Sequence, residues 1–324
     1  MSNTLYIVVP CYKEEDVLPK TAACLKAKLE SLMARGLVGA GSKVLFVNDG
    51  SSDGTWSLIC QFCEESPIFA GISLSRNRGH QNALLAGLMT AKDHADMVIS
   101  MDADLQDDPE AIDAMLDKHA QGADIVFGVR TKRRRDSFFK RCSAAFFYKF
   151  MSAIGVEIVP NHADFRLMSR RALEALANFK EVNLFLRGIV PMIGFSTATV
   201  EYERAARLAG KTKYPLKKML GFAAEGVTSL SVRPIRIISF LGLLSFLASV
   251  VLLIYFLVDY ARGGTAAGWA SIIVSIWGIG GLQLLAIGII GEYIGKIYLE
   301  VKARPRYIIE KVVLNKGEAE NGAD

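Results

Sequence analysis

Short apolar runs alternate with longer amphipathic segments along the first 130 residues. The runs rich in Val, Ile, Leu and Phe predict strands at Leu5–Pro10, Val44–Asn48, Ala70–Leu74, Met97–Met101 and Asp124–Phe127. The apolar residues between these runs recur at helical spacing, which predicts helices at Glu14–Arg35, Thr55–Glu65, Gln81–Lys92 and Pro109–Gln121. Strands that alternate with helices predict an α/β domain with a mainly parallel sheet covered by helices.

Polar residues are concentrated directly after the first four predicted strands. The clusters are Cys11–Glu15, Asp49–Thr55, Ser75–Gln81 and Asp102–Pro109. Because ligands of such sheets bind beyond the carboxyl ends of the strands, these loops predict a single binding site. No G-x-G-x-x-G follows the first strand and no G-x-x-x-x-G-K-[ST] is present. These absences argue against a dinucleotide dehydrogenase and exclude a P-loop NTPase.

The sequence Asp102-Ala103-Asp104 is the candidate for phosphate chemistry in these loops. Two carboxylates on alternate residues at a strand end can share a hard divalent cation, since Mg²⁺ usually takes one or two carboxylates together with substrate phosphates. Asp107 and Asp108 have two equally good interpretations, as further site residues or as part of the turn before the helix at Pro109.

Two apolar stretches near the C-terminus predict transmembrane helices. Residues 237–258 and 269–290 each contain 22 residues without Asp, Glu, Lys or Arg, and 22 helical residues span about 33 Å. Basic residues precede the first stretch and follow the second, so the positive-inside rule places both flanks in the cytoplasm. Small residues in the second stretch favour close helix packing, within the hairpin or between copies in a homo-oligomer equally.

The composition agrees with a membrane-associated protein. Apolar residues make up 51% of the 324 residues and the formal net charge is +5. The basic charge is concentrated: residues 130–149 contain eight basic and one acidic side chains, and residues 202–236 contain eight basic and two acidic ones. The segments 137–154 and 214–231 also have one apolar helical face, which predicts amphipathic helices at a membrane surface or, alternatively, helices packed on the core. An anionic partner such as a phosphate or a lipid surface is expected.

Several motifs together resemble the family 2 inverting glycosyltransferases of the GT-A fold, and among them the bacterial polyprenyl-phosphate glycosyltransferases of the undecaprenyl-phosphate glucosyltransferase type, which are related to dolichol-phosphate mannose synthase. The motifs are Val9-Pro10-Cys11-Tyr12-Lys13-Glu14-Glu15, Asn48-Asp49-Gly50-Ser51-Ser52-Asp53-Gly54-Thr55, Ser75-Arg76-Asn77-Arg78-Gly79-His80, Asp102-Ala103-Asp104-Leu105-Gln106-Asp107, Ala163-Asp164-Phe165-Arg166-Leu167-Met168 and Gly210-Lys211-Thr212-Lys213-Tyr214. The resemblance runs from about residue 4 to residue 308. Lys13 and Asp108 depart from residues common in the family, beside the expected ligands.

The resemblance implies a role for each matching residue. The base of a nucleotide sugar would be held by Pro10, Tyr12, Glu14 and Asp49. Mg²⁺ or Mn²⁺ would be held by Asp102 and Asp104 with Gln106. Asp164 matches the catalytic-site aspartate of the family and would act as a general base or as a positioning group. The acceptor phosphate would be held by Arg130, Arg141, Arg204, Arg207 and Lys213.

The implied reaction is the inverting transfer of a hexose from a nucleotide sugar to undecaprenyl phosphate. UDP-glucose is the first expectation for the donor, and UDP-GlcNAc, UDP-galactose and GDP-mannose are the alternatives. A processive polysaccharide synthase is disfavoured because the Gln-x-x-Arg-Trp motif is missing. A non-catalytic membrane scaffold is the alternative from another class. No nucleic-acid partner is expected.

The expected organisation follows from these elements and motifs. Residues 1–130 form the nucleotide-sugar-binding half of a GT-A, Rossmann-like α/β domain, and residues 131–232 form the acceptor-binding half with the interfacial helices. Residues 233–298 contain the two transmembrane helices, 237–258 and 269–290, and residues 299–324 form a cytosolic tail. The protein is expected to be a multi-pass protein of the bacterial inner membrane with its catalytic domain in the cytoplasm.

Overall fold

The computed structural model describes residues 3–130, 162–182, 185–203 and 269–314, with scattered positions between 235 and 262. The described chain contains eight strands: β1 Leu5–Cys11, β2 Lys43–Asn48, β3 Phe69–Leu74, β4 Met97–Ser100, β5 Ile125–Arg130, β6 His162–Ser169, β7 Thr197–Tyr202 and β8 Ile309–Val313. The helices are α1 Leu18–Ala34, α2 Thr55–Glu65, α3 His80–Lys92, α4 Ala111–Ala120, α5 Arg170–Ala177, α6 Leu186–Met192 and α7 Trp269–Lys302.

The eight strands form one sheet in the order β7-β5-β6-β4-β1-β2-β3-β8. Strands β1 to β4 are parallel where they pair, and β7 is parallel to β5. Two strands run the other way: β6 is antiparallel to both β4 and β5, and β8 is antiparallel to β3. The predicted mainly parallel α/β sheet is therefore confirmed, and all five predicted strands are present.

The core lies on both faces of this sheet, because successive side chains of a buried strand point to opposite faces. Ile7 of β1 belongs to one apolar cluster together with side chains of α1, α2 and α4. Val8, the next residue, belongs to the other cluster, together with side chains of α3, α5 and α6. Both residues are completely buried. Helices on both faces leave the edge formed by the strand ends for a ligand.

Strand β8 brings the C-terminal part of the chain back to this sheet. Val312 pairs with Ile72 and Lys311 with Ser73. The carbonyl oxygen of Ile308 accepts a hydrogen bond of 3.0 Å from the backbone N–H of Ser75. The segment expected to form a tail thus supplies the strand that flanks β3 and contacts the first residue of the loop after it.

The chain divides into two compact units. The first comprises Met1–Tyr148, Glu157–Tyr214 and Arg304–Asp324, and the second comprises Lys149–Val156 and Pro215–Ala303. Helix α7 belongs to the second unit and covers the stretch 269–290 that was predicted to be a transmembrane helix. Among the helices of the described residues, none has both the length and the hydropathy that crossing a membrane requires. Most of the other predicted span, 237–258, and the amphipathic segments 137–154 and 214–231 lie outside the described residues.

Candidate active site

The expected site residues come together at one edge of the sheet because of the strand directions. Asp49 and Asp102 follow the carboxyl ends of β2 and β4. Strand β6 is antiparallel to β4, and its Arg166 pairs with Ser100. The start of β6, with Asp164, therefore lies beside the end of β4. Arg130 ends β5 and pairs with Tyr202 at the end of β7, at the same edge.

Asp164 contacts Arg166, Arg187 and His80 at this edge. It is buried, and three cationic side chains surround its carboxylate. Arg166 Nη2 donates to Oδ1 at 2.8 Å, Arg187 Nη2 donates to Oδ2 at 3.0 Å, and Arg187 Nε donates to Oδ1 at 3.3 Å. His80 Nε2 lies 3.5 Å from Oδ2. Burial raises the pKa of Asp164, but the hydrogen bond from His80 and the two guanidinium charges outweigh it and hold the pKa well below its usual range.

His80 links Asp164 to the carboxylate after β4. Its Nε2 lies 3.6 Å from Asp102 Oδ1, and the residue is the first of α3. Burial lowers the pKa of His80. The hydrogen bond with Asp164 and the charge of Asp102 raise the pKa by more than burial lowers it, so the net shift is upward. The His80 imidazole lies between two carboxylates and connects the predicted metal-binding residue to the predicted catalytic-site aspartate.

Asp102 lies among other carboxylates. The pKa of Asp102 is raised to about 6, mainly by burial, and the charge of His80 opposes this shift. The neighbouring carboxylates contribute to the increase, and they are Asp107, Asp164 and Asp104. Asp104 Oδ1 accepts a hydrogen bond of 3.2 Å from the backbone N–H of Gln106, which fixes the turn. Carboxylates that repel one another in this way suit a bound cation, because a cation neutralises them.

The described residues contain no group of three or more His, Cys, Asp or Glu side chains arranged to hold a metal ion. Mg²⁺ does not require such a group, since one or two carboxylates and the phosphates of a substrate complete its shell. The Asp102 and Asp104 pair, with Gln106 buried beside it, therefore fits a cation that is shared with a diphosphate.

Asp49 fixes the loop that follows β3. The carboxylate is buried, and it accepts hydrogen bonds from the backbone N–H groups of Arg78 at 2.7 Å and Gly79 at 3.0 Å. The turn at Gly50 packs directly on the same loop: the residue has a φ of +62°, and a Cβ there would lie 2.5 Å from the backbone carbon of Arg76. Only glycine fits this position, so the loops after β2 and β3 form one rigid wall.

The loop after β1 provides the remaining expected donor residues. Pro10 is buried in β1, whereas Tyr12 is 45% exposed, with Lys13 Nζ over its ring at 5.6 Å from the centroid. The backbone N–H of Glu14 donates a hydrogen bond of 3.0 Å to Thr55 Oγ1, and this bond fixes the position of Glu14. The three residues stand at the carboxyl edge of the sheet, next to the loop that holds Asp49.

Arg130 is held by two buried groups. Its Nη2 donates to Asp107 Oδ1 at 3.0 Å, and its Nε donates to the Tyr202 hydroxyl oxygen at 3.1 Å. The Tyr202 hydroxyl in turn donates to Asp107. Of the two interpretations of Asp107 and Asp108, the structure assigns Asp107 to this buried cluster, whereas Asp108 Oδ1 accepts the backbone N–H of Glu110 at 2.9 Å before α4. Four other expected phosphate ligands, Arg141, Arg204, Arg207 and Lys213, lie outside the described residues.

Arg187, Arg166, Tyr202 and His80 were not among the expected site residues. Arg166 stands in the motif around Asp164, but its burial has no signature in the sequence. Arg187 lies on α6 and meets Asp164 only through the tertiary fold. The position of His80 at the end of the Ser75–His80 motif was the one local signal for any of them.

Comparison with known proteins shows the family of the chain. Residues 6–177 match the family described as glycosyl transferase family 2. The chain is 52% identical over 312 residues to an uncharacterized glycosyltransferase of Bacillus subtilis, YkoT, covering 96% of this chain and 93% of that protein. It is 41% identical over 311 residues to the SfII prophage-derived bactoprenol glucosyl transferase of Shigella flexneri, covering 94% of this chain and 97% of that protein. Mannosyl-3-phosphoglycerate synthase from Rubrobacter xylanophilus is 16% identical with a TM-score of 0.49, covering 72% of this chain and 74% of that chain.

Proposed function

The chain belongs to glycosyl transferase family 2 and is a glycosyltransferase, and we propose that it transfers glucose from UDP-glucose to undecaprenyl phosphate with inversion at the sugar carbon. The resemblance seen in the motifs and the GT-A α/β fold class are confirmed by the family match and the mainly parallel sheet. The lipid acceptor is supported by the relative named a bactoprenol glucosyl transferase, which aligns over 94% of this chain.

One observation carries the proposal: Arg130 lies at the same edge of the sheet as Asp102 and Asp164. A transferase that joins a nucleotide sugar to a lipid phosphate must place two anions side by side. Carboxylates on one side suit a cation-bound diphosphate, and a fixed guanidinium on the other suits a phosphate monoester. The described edge provides both.

We assign the donor to the loops after β1, β2 and β4. Pro10, Tyr12, Glu14 and Asp49 would hold the nucleotide base, and Asp102, Asp104 and Gln106 would hold Mg²⁺ or Mn²⁺ with the diphosphate. When bound, the cation would act as a Lewis acid that stabilises the negative charge of the departing diphosphate. The hydrogen bonds in the turn at Asp104 and in the loop held by Asp49 would keep the donor-binding side chains in place before the donor arrives.

Asp164 would act as a positioning and electrostatic group rather than as a general base. Two guanidinium groups and His80 keep its pKa well below the usual range, so it is a weak base at neutral pH. The acceptor does not need a strong base, because the second pKa of a phosphate monoester is about 6 and its oxygen is already largely ionised. An ionised Asp164 instead fixes Arg187 and His80 around the reacting groups.

The acceptor phosphate would bind at Arg130, and Arg141, Arg204, Arg207 and Lys213 would complete its site. Asp107 and Tyr202 hold Arg130 by hydrogen bonds in a fixed orientation. A guanidinium with a fixed orientation loses less conformational entropy when it binds a phosphate than a free side chain does.

The acceptor would be reached from a membrane. Residues 237–258 and 269–290 would form a helical hairpin, and 137–154 and 214–231 would lie at the surface of the cytoplasmic leaflet. Many apolar side chains of α7 are exposed, including Ile276, Leu284 and Ile287. Exposed apolar surface on a long helix supports contact with lipid.

The proposal is tested with the purified full-length protein, undecaprenyl phosphate, Mg²⁺ or Mn²⁺, and a panel of labelled UDP-glucose, UDP-GlcNAc, UDP-galactose and GDP-mannose. We expect a glycolipid from UDP-glucose, its loss in Asp104→Ala, and its retention in the control Asp108→Ala, which removes a carboxylate from the same loop. Another preferred sugar would correct the donor only. Nucleotide binding without glycolipid formation from any donor would identify a scaffold instead.

A further inference from the structure

Arg187 is the more exposed of the two arginines that contact Asp164. Its side chain is 43% exposed, whereas that of Arg166 is completely buried. Both guanidinium groups contact the same carboxylate, but only that of Arg187 faces solvent. Arg166 is suited to holding Asp164, and Arg187 is suited to contacting a molecule that enters from outside.

The pairing with Asp164 leaves part of the Arg187 guanidinium unused. Nε and Nη2 donate to the two carboxylate oxygens. A guanidinium has five N–H donors in a fixed plane, so three remain after these bonds. Within the part of the chain that the structure describes, Nη1 of Arg187 donates no hydrogen bond to another residue. The Asp164 contact therefore fixes the plane of the group and leaves one end open.

Arg187 interacts electrostatically with groups assigned to both substrates. Burial lowers its pKa, but the charge of Asp164 and the hydrogen bond with it raise the pKa more; Asp102 adds to the increase and Arg130 opposes it. Arg187 is thus within electrostatic range of both the donor-side carboxylate Asp102 and the acceptor-side Arg130.

We propose that Arg187 binds a phosphate oxygen of a substrate during transfer, with its guanidinium plane set by Asp164 and, through Asp164, by Arg166. The inference rests on the proposed function. The ligand chemistry is a phosphate, and two substrates supply it: the diphosphate of the donor and the monophosphate of the lipid acceptor.

Repulsion between the two anionic substrates is the reason that a cationic side chain is needed near them. The donor diphosphate and an acceptor dianion must approach within bonding distance of one sugar carbon. A guanidinium near both anions offsets their repulsion and binds phosphate oxygens in two parallel hydrogen bonds, which an ammonium does not reproduce. The simpler alternative is that Arg187 only balances the charge of Asp164.

The experiment uses full-length wild type, Arg187→Gln, Arg187→Lys and the control Arg35→Gln. Arg35 is matched because its side chain is 48% exposed and is also paired with a carboxylate, Asp113, away from the site. The measurements are the KM of each substrate, kcat, the melting temperature, and the calorimetric Kd of UDP in the presence of Mn²⁺.

We expect Arg187→Gln to raise the KM of at least one substrate about tenfold, Arg187→Lys to have a smaller effect in the same direction, and Arg35→Gln to stay within about twofold of wild type. A parallel rise in the Kd of UDP assigns the contact to the donor. An unchanged Kd of UDP with a raised KM of the lipid phosphate assigns it to the acceptor.

Unchanged KM values and an unchanged Kd of UDP in both Arg187 variants, with only kcat or the melting temperature lowered, would overturn the proposal and leave Arg187 as a counter-ion. If Arg187→Gln does not fold, Arg187→Lys decides by the same criteria. Failure of the proposed function has a different outcome: wild type would bind UDP, more weakly in Arg187→Gln, but would glycosylate no polyprenyl phosphate.

Discussion

Arg166 donates a hydrogen bond of 2.8 Å to Asp164 Oδ1 although the two residues stand only two positions apart on β6. Residues i and i+2 of a strand point to the same face, so this neighbouring pair forms without any long-range constraint. The Arg166 side chain is completely buried, and its Nη1 also donates to the carbonyl oxygen of Leu186 at 3.4 Å. The position of Asp164 in the site is therefore set from within the core.

Arg166→Met should destabilise the protein severely. Removal of one partner of a buried ion pair typically costs about 3–5 kcal/mol because the other charge stays buried. Thermal unfolding of the full chain measures the effect. Arg170→Met is the control, since Arg170 is 45% exposed and its ion pair with Asp96 should contribute at most about 1 kcal/mol. Equal shifts in the two variants would show that Asp164 does not depend on Arg166.

Asp164→Asn should lower turnover about 100-fold or more while the donor still binds, because the amide cannot hold both guanidinium groups. The pH profile tests the role of the carboxylate. A depressed pKa means that Asp164 stays ionised at neutral pH and is protonated only in acid, below its ordinary value of 3.8. A limb near pH 6 should follow the acceptor phosphate, together with Asp102, whose pKa is about 6, and persist in the residual activity of Asp164→Asn. Loss of that limb in the variant would identify Asp164 as the general base.

Asp102→Asn should stabilise the metal-free protein at pH 7. The folded-state pKa, about 6, lies above the ordinary 3.8, so between these values the folded state binds more protons than the unfolded state. Stability therefore falls as the pH rises through this window. Because a third of the Asp102 side chain is exposed, solvent screening limits the expected gain at pH 7 to about 1–2 kcal/mol.

The measurement for Asp102→Asn is thermal unfolding in a chelator between pH 4 and pH 8. The difference from wild type should narrow toward pH 4, where the wild-type carboxyl is protonated in the folded state and partly protonated in the unfolded state. Addition of Mn²⁺ should raise the melting temperature of wild type more than that of the variant. A variant that is less stable than wild type at pH 7 would contradict the repulsion inferred at this turn.

Tyr202→Phe should loosen Arg130. The hydroxyl donates to buried Asp107 and accepts from Arg130 Nε, and within the described residues Asp107 Oδ2 has no partner. Loss of the hydroxyl should cost about 1–2 kcal/mol of stability and raise the KM of the lipid phosphate severalfold, with the KM of the donor unchanged. Tyr298→Phe, on the exposed surface of α7, is the control. An unaltered KM of the acceptor would remove Arg130 from the acceptor site.

Gly50→Ala separates backbone strain from steric overlap when it is compared with Gly36→Ala. Both glycines have a left-handed φ, +62° and +70°, but a Cβ at Gly36 meets nothing within 4 Å. Gly36→Ala should cost about 1–2 kcal/mol from conformation alone. Gly50→Ala should cost more and weaken the binding of UDP, because the loop at Arg76 must move. Similar stability and UDP affinity in both variants would show that the contact between the two loops is unimportant.

The sequence predicts the half of the fold in which local patterns are strong. The five strands from β1 to β5 are continuous apolar runs, and their ends differ from the observed ends by a few residues at most. Strand β6 was not predicted because Arg166 interrupts its apolar pattern, and only the fold buries that charge. Strand β8 was not predicted because Glu310 and Lys311 make it resemble a solvated segment.

The candidate site divides in the same way. Loops after parallel strands identify Asp49, Asp102 and Asp104 because the sheet direction alone places them at one edge. Arg187 could not be found from local sequence, since its partner Asp164 is 23 residues away. The role of Asp107 could not be found either, because the turn that contains it is equally compatible with a solvated carboxylate.

Strand β8, which flanks β3, is the last strand of the sheet to be synthesised, because it follows α7 in the chain. Every residue of α7 must be made before Ile308 can accept the bond from Ser75. A ribosome that stalls after α7 would release a protein with a complete family 2 motif set and an open flank on β3. The strand that flanks β3 is therefore available for pairing only when nearly the whole polypeptide has been made.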